Sequence, residues 1–213
     1  MAHIEQMFFF QNVKHFFPRH FVGSRVLEIG SLNINGTVRI FFDNAQYTGI
    51  DIGEGDCVDE VCRGEDYPAA ANTFDVVLST EVFEHAENWD LIFLNMVRLV
   101  KQDGLVAFSC ASRGRTQHGT SLFSSHAAPH VAVSTDYYRN LMAKDFTDAF
   151  NMDYWFSAYH FVEDMDCLYF VGLAKKETLG VQTMQVFKQA YGDYLHKRHV
   201  LGLPHKYITT GSL

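Results

Sequence analysis

No apolar run in the chain approaches the ~20 residues needed to cross a bilayer. The first ten residues, Met1 to Phe10, have neither a basic stretch nor a long apolar core of the kind that exports a chain. We expect a cytoplasmic protein with no membrane partner. Cysteine is scarce: Cys57, Cys62, Cys110 and Cys167 make no C-x-x-C pair and no zinc spacing. That excludes a thiolate metal centre, and the setting of three of them in or beside apolar runs reads as buried thiols in a reducing compartment. Positive charge is short too. Seventeen Lys and Arg stand against 25 Asp and Glu, a net charge of −8, so the global field repels nucleic acid and anionic lipid. Phosphate cradles are also missing: there is no G-x-G-x-x-G, and no glycine-rich loop ending in Lys-Ser or Lys-Thr. A dinucleotide or a nucleoside triphosphate would find no loop built for it.

What is present is a stretch reading Arg25-Val-Leu-Glu-Ile-Gly-Ser-Leu-Asn-Ile-Asn-Gly36. A short apolar run carrying Glu28 ends at Gly30 and opens into a polar loop closed by Gly36. A second strand-like run, Tyr47-Thr-Gly-Ile-Asp51, ends in a carboxylate. Strand, glycine-bearing turn, helix and second strand ending in Asp make half of a nucleotide-binding α/β unit. Glycine lets backbone approach a ligand because no Cβ intervenes, and the strand-end carboxylate can accept both hydroxyls of a ribose. An acid within the first strand suits a cofactor whose amino-acid end carries an ammonium group. The chemistry points to a nucleoside that is not a polyphosphate.

With these residues the chain resembles the class I S-adenosylmethionine-dependent methyltransferases, whose first strand reads roughly [D/E]-x-G-x-G-x-G. It is closest to the small-molecule, methyltransferase-11-like variant reading E-I-G-S-x-x-x-N-G. Further segments follow in the family's order: Gly49-Ile-Asp51, Phe74-Asp-Val-Val-Leu-Ser-Thr-Glu-Val-Phe-Glu-His85, and Met96-Val-Arg-Leu-Val-Lys-Gln-Asp-Gly-Leu-Val106. The resemblance covers residues 22 to 175. It implies S-adenosyl-L-methionine as cofactor and a doubly wound, Rossmann-like α/β fold with a seven-stranded sheet closed by an antiparallel hairpin. The chain departs from the pattern at Leu32 and Ile34, which replace the later glycines, and at Arg63, where an acidic adenine contact is common.

The organisation expected along the chain is an N-terminal helix or cap over 1–21, a methyltransferase domain over 22–176, and a C-terminal helix and tail over 177–213. Residues 3–17 read as an amphipathic helix with Met7, Phe8, Phe10 and Phe17 on its apolar face. A short helix is expected at 37–44, and strands at 46–51, 57–61, 74–79 and 105–110, with Asp103-Gly104 as a turn. A helix is expected at 89–101. Residues 111–133 lack periodicity and hold three of the eleven histidines, as a loop closing over a site would. A helix at 135–144, hairpin strands within 146–161 and at 167–174, and a helix at 181–199 complete the reading. Most of the nineteen phenylalanines belong to a core, with a minority available to line a pocket.

The resemblance assigns roles to individual residues. Glu28 would meet the cofactor's ammonium, through water, with Gly30, Ser31, Asn35 and Gly36 forming the loop beside it. Asp51, next to Ile52, would take the ribose hydroxyls. Arg63 and Gly64 fall in the adenine loop, and Ser79, Thr80 and Glu81 line the cleft at the end of the fourth strand. Glu84-His85 matches a common pair after that strand. A neutral imidazole suits proton removal from an acceptor, which makes His85, His118 and His130 the candidate bases. His126 and His130 have i, i+4 spacing, but Pro129 between them and the lack of a third ligand leave no metal site. Arg113 and Arg115 could hold an acidic group of the acceptor, and His196-Lys-Arg-His199 reads as the polar end of a helix.

The function expected is methyl transfer to a small molecule or glycan, more readily at oxygen because no Asn/Asp-Pro-Pro-Tyr motif is present. A catalytically silent interaction module is the alternative, motivated by Leu32 and Ile34. A homodimer through the Phe-rich N-terminal helix is possible.

Overall fold

The computed structural model describes residues 4–123, 136–176, 178 and 180–202. Helix α1 (Ile4–Phe16) leads into β1 (Arg25–Ile29), β2 (Gln46–Asp51) and the two-residue β3 (Glu60–Val61). Then come β4 (Phe74–Thr80), α2 (Trp89–Leu99) and β5 (Val100–Ala111). Short helices α3 (Ala143–Ala149) and α4 (Met152–Trp155) precede the hairpin β6 (Phe156–Asp164) and β7 (Cys167–Ala174), and α5 (Gly180–Leu201) follows. The strands form one sheet in the order β3-β2-β1-β4-β5-β7-β6, parallel from β3 to β5, with β7 antiparallel to both β5 and β6. This is the seven-stranded α/β sheet with a closing hairpin that the resemblance implies.

Strand parity explains why the central strands are apolar on both faces. Leu27, Ile29 and Val77 point to one side, where Phe93, Phe108, Phe146 and Phe170 pack with α2 and α3. Val26, Val76, Leu78 and Leu105 point to the other, against Phe9, Phe10 and Val13 of α1 and Phe187 of α5. Each fully buried Phe contributes roughly 2 kcal/mol of transfer free energy. In α1 the ring of Phe9 stacks on Tyr169 at 4.9 Å and Phe8 meets Tyr194 at 4.4 Å. These phenylalanines are therefore consumed inside the protomer, on the sheet face away from α2. Along α5 the buried residues Met184, Phe187, Tyr191 and Tyr194 recur at helical spacing.

Several boundaries differ from the sequence reading, each for a visible reason. Instead of an α-helix at 37–44 there is one 3₁₀ turn, Val38–Phe41, capped where the Thr37 hydroxyl accepts from Arg39 N. Its β-branched and aromatic residues are weak helix formers. Asp103-Gly104 is no turn: it lies within β5, where the pairing with β4 slips between Phe74 and Val76. Residues 136–142 are not helical because their backbone serves neighbouring segments. Arg139 N donates to Glu84 O at 2.8 Å and Leu141 N to Ala111 O at 2.9 Å. The helix starts only at Ala143, with the Asp145 carboxylate accepting from Met142 N. Two short helices occupy the first half of 146–161, the second opened by Asn151 accepting from Tyr154 N. Of the four cysteines, Cys110 and Cys167 are buried while Cys57 and Cys62 are half-buried. The expected basic helix end is not wholly solvated either, since the half-buried Arg198 pairs with the buried Asp164, Nη1 to Oδ2 at 2.9 Å.

Candidate cofactor and acceptor site

The strand order reverses between β1 and β4, and ligands of open α/β sheets bind at the carboxyl ends of the strands flanking such a point. A cavity of about 710 Å³ opens there, within the range that encloses drug-sized ligands. From the sequence-derived set it is lined by Gly30, Asp51, Ile52, Arg63, Gly64, Thr80, Glu81, His85 and His118. Glu28, Ser31, Asn35, Gly36 and Ser79 do not line it, and His130 lies outside the described residues. Leu32 and Ile34, the departures from the glycine pattern, form part of the wall and leave the cavity open.

Each lining residue is held by its element. Gly30 ends β1 at φ +81°, and a Cβ there would come within 2.0 Å of Val82 Cγ2, so no side chain fits between the first loop and the segment after β4. Without further glycines, the loop is braced by Asn33. Its Nδ2 donates to Asp56 at 2.7 Å, and its Oδ1 accepts from Gly36 N at 2.8 Å. Asp51 stands at the end of β2 and accepts from Leu32 N at 3.3 Å and Gly53 N at 3.1 Å, which fixes its carboxylate at the mouth of the loop. Gly64 packs so closely that a Cβ would meet Ile29 Cγ2 at 2.6 Å.

Glu28 lies beneath the floor, 2% exposed. Its carboxylate accepts from the Tyr47 hydroxyl at 2.8 Å and the Thr80 hydroxyl at 3.3 Å, so it reaches the cavity through Thr80. Burial pushes its carboxyl up to about 7 from an ordinary 4.5, against the downward pull of those two hydrogen bonds.

At the far end of the cavity, beyond β4, the chain concentrates imidazoles and carboxylates. Glu81 holds a left-handed φ of +56° and accepts from the Ser109 hydroxyl at 2.8 Å, leaving its buried Oε2 without a hydrogen bond. Glu84, on the 3₁₀ turn Phe83–His85, is fully buried, and its carboxyl is raised to about 8 by desolvation and the neighbouring Glu81. The rings of His85 and His118 sit 5.2 Å apart, edge to face, with Tyr138 5.4 Å and 5.1 Å from them. Burial lowers His118 below the ordinary histidine value, so its imidazole is neutral at pH 7. Arg115 pairs with Asp166 at 2.9 Å, and Arg113 is exposed beside Met142; neither lines the cavity.

Sequence reasoning missed Val82, Ala86, Asn88 and Leu91 among the wall residues, and Tyr138, whose segment reads as a helix. The wall residues follow a 3₁₀ turn and the first turn of α2, where no single periodicity holds. No sequence signal marks Tyr138.

The sheet order, the glycine-ended first strand and the carboxylate ending the second together define the class I methyltransferase fold. Residues 27–108 match the family model described as a methyltransferase domain. Over those residues the chain is similar to a methyltransferase domain. No curated protein matches the chain in sequence. Among similar solved structures is the Haemonchus contortus phosphoethanolamine N-methyltransferase 2 in complex with S-adenosyl-L-methionine. It has a TM-score of 0.55 and 15% identity over 82% of this chain and 58% of that one. Another is the Burkholderia thailandensis 1,6-didemethyltoxoflavin-N1-methyltransferase with bound 1,6-didemethyltoxoflavin and S-adenosylhomocysteine. Its TM-score is 0.54 at 13% identity, over 78% of this chain and 77% of that one. At these identities the likeness speaks to fold. The chain spans little more than half the length of the Haemonchus protein. Among the described residues, no helix is long and apolar enough to cross a membrane.

Proposed function

We propose that the protein methylates a hydroxyl oxygen of a small molecule or glycan, with S-adenosylmethionine as donor. The observation carrying this reading is one cavity with a nucleoside-type end at Gly30, Asp51 and Gly64 and an acid–imidazole end at Glu81, His85 and His118. The cradle suits the cofactor. Asp51 offers a carboxylate to ribose hydroxyls, Leu32 and Ile52 offer apolar wall, and Gly30 leaves room for backbone approach. Glu28 is a positioning residue that holds the Thr80 hydroxyl.

When bound, the cofactor supplies a methyl carbon made electrophilic by its sulfonium. The acceptor hydroxyl gives its proton to the His85–His118 pair. The bound cofactor would supply the methyl carbon to that oxygen, its C–S bond breaking as the C–O bond forms and the bonding pair staying on sulfur. Such displacement is governed by alignment, so the residues serve mainly to position the acceptor and receive one proton. The −8 charge and the lack of a basic patch in the cavity favour a polar metabolite or sugar over nucleic acid.

Incubation with S-adenosylmethionine carrying a labelled methyl group, against pools of hydroxylated metabolites and free glycans, tests this reading. The label should enter a product as a base-stable, acid-stable ether. His85→Ala should lower kcat about 100-fold with little change in cofactor KM. Label found only on nitrogen or carbon would overturn the oxygen assignment.

A further inference from the structure

We propose that Glu84, His85 and His118 form a divalent transition-metal site at the acceptor end of the cavity, and that the ion holds the acceptor's oxygen. One ligand atom from each of the three lies within 4.8 Å of the others. Sequence spacing conceals the group, because Glu84 and His85 sit on the turn after β4 while His118 arrives from the loop after β5. The fold, not a motif, brings them together.

Two features mark this as a built site. The first is Glu84, which is fully buried. One of its carboxylate oxygens accepts from Ala111 N at 3.1 Å, whereas Oε2 has no hydrogen-bond partner. A buried carboxylate oxygen left unmatched is costly and calls for a partner, and the two imidazoles are the neighbouring candidates to share one with it. The second is how His118 is seated. Gly119 follows it at φ +60°, and a Cβ there would come within 2.7 Å of His85 Cε1. Only a glycine lets this loop press the two rings together. The backbone carbonyl of Thr116 lies 3.1 Å from His118 Nδ1, which orients the ring as such contacts do for metal-bound histidines and leaves Nε2 to ligate.

The geometry needs modest closure. Tetrahedral ligands about 2.1 Å from an ion lie roughly 3.4 Å from one another, so side-chain movements of about an ångström bring the group to binding distance. Two imidazoles and one carboxylate suit Mn²⁺, Co²⁺ or Zn²⁺ better than Ca²⁺, which prefers six or more oxygens. Three protein ligands leave open positions for an acceptor oxygen. Glu81 lines the cavity nearby with its Oε2 unmatched.

This inference rests on the oxygen-methylation reading and gives it a different proton path. The ion polarises the acceptor hydroxyl, the proton passes to the Glu81 carboxylate, and the histidines act as ligands in place of bases. The C–O bond still forms as the C–S bond breaks, with no change in oxidation state.

The test is calorimetric titration of untagged, chelator-stripped protein with MnCl₂ and ZnCl₂ alone, with CaCl₂ as the contrasting ion, backed by the electron paramagnetic resonance signal of free Mn²⁺. One equivalent should bind at a Kd of about 10 μM or tighter, with Ca²⁺ at least tenfold weaker. His118→Ala, in an irregular loop, and the isosteric Glu84→Gln should each weaken binding at least tenfold. No binding at about 1 mM Mn²⁺ or Zn²⁺, or binding undiminished in both variants, would overturn the proposal. S-adenosylhomocysteine binding is measured on the same samples. Metal failure with that binding intact condemns the metal site alone, and the reverse result condemns the methyltransferase reading and the ion's role in it while leaving the ion-binding site standing.

Discussion

Asp51→Ala should weaken S-adenosylhomocysteine binding by about 100- to 1,000-fold. The carboxylate ends β2 at the cavity wall, positioned by the N–H groups of Leu32 and Gly53. In the proposed complex it accepts two ribose hydroxyls. Hydrogen bonds to an ionised acceptor are worth roughly 1.5–3 kcal/mol each, and losing two accounts for the fold-change. Asp51→Asn keeps the shape and one acceptor oxygen but loses the charge, so it should fall between the variant and the parent. Calorimetry on all three proteins, with thermal melting to confirm folding, decides the matter. An affinity within threefold of the parent in Asp51→Ala would remove Asp51 from the cofactor site.

Glu28→Gln should stabilise the ligand-free protein at pH 8 by up to about 3 kcal/mol and do little at pH 4.5. The carboxyl titrates near 4.5 when the chain is unfolded and near 7 in the fold, where burial disfavours its charge. Between those values the unfolded chain has released a proton that the folded chain retains. Stability therefore falls as pH rises from about 4.5 to about 7 and is flat above. Glutamine has no charge to desolvate, and the hydroxyls of Tyr47 and Thr80 can each turn to donate or accept. Glu84 adds a similar slope, but it is present in both proteins and cancels in the comparison. Chemical denaturation at the two pH values measures the difference, and an equal effect at both would show that Glu28 ionises in the fold as freely as outside it.

The sheet was legible because its central strands are continuous apolar runs. Val26 to Ile29 and Val76 to Leu78 are buried on both faces, and such runs announce themselves without homologues. The residues of the proposed cofactor end stand out for a related reason: Gly30 and Asp51 are strand ends, and open α/β sheets bind ligands at the carboxyl ends of their strands. The loop between them was harder. Its bracing comes from Asn33 and Asp56, a tertiary hydrogen bond that replaces the glycines of the usual pattern.

The proposed acceptor end resisted for a different reason. Residues 136–142 have helix-like composition, yet their N–H groups are committed to Glu84 O and Ala111 O. Local propensity yields to partners that sequence cannot show. That extended path carries Tyr138 to the two histidines. The grouping of Glu84 with His118 depends on the same long-range placement, which is why the sequence points to no metal site there.

The most direct test of the account is calorimetric titration of the intact protein with S-adenosylhomocysteine, with NAD as the control ligand. The cavity and its domain predict one equivalent bound at micromolar Kd and no heat from NAD. Absence of binding at millimolar S-adenosylhomocysteine, or equal affinity for NAD, would contradict it.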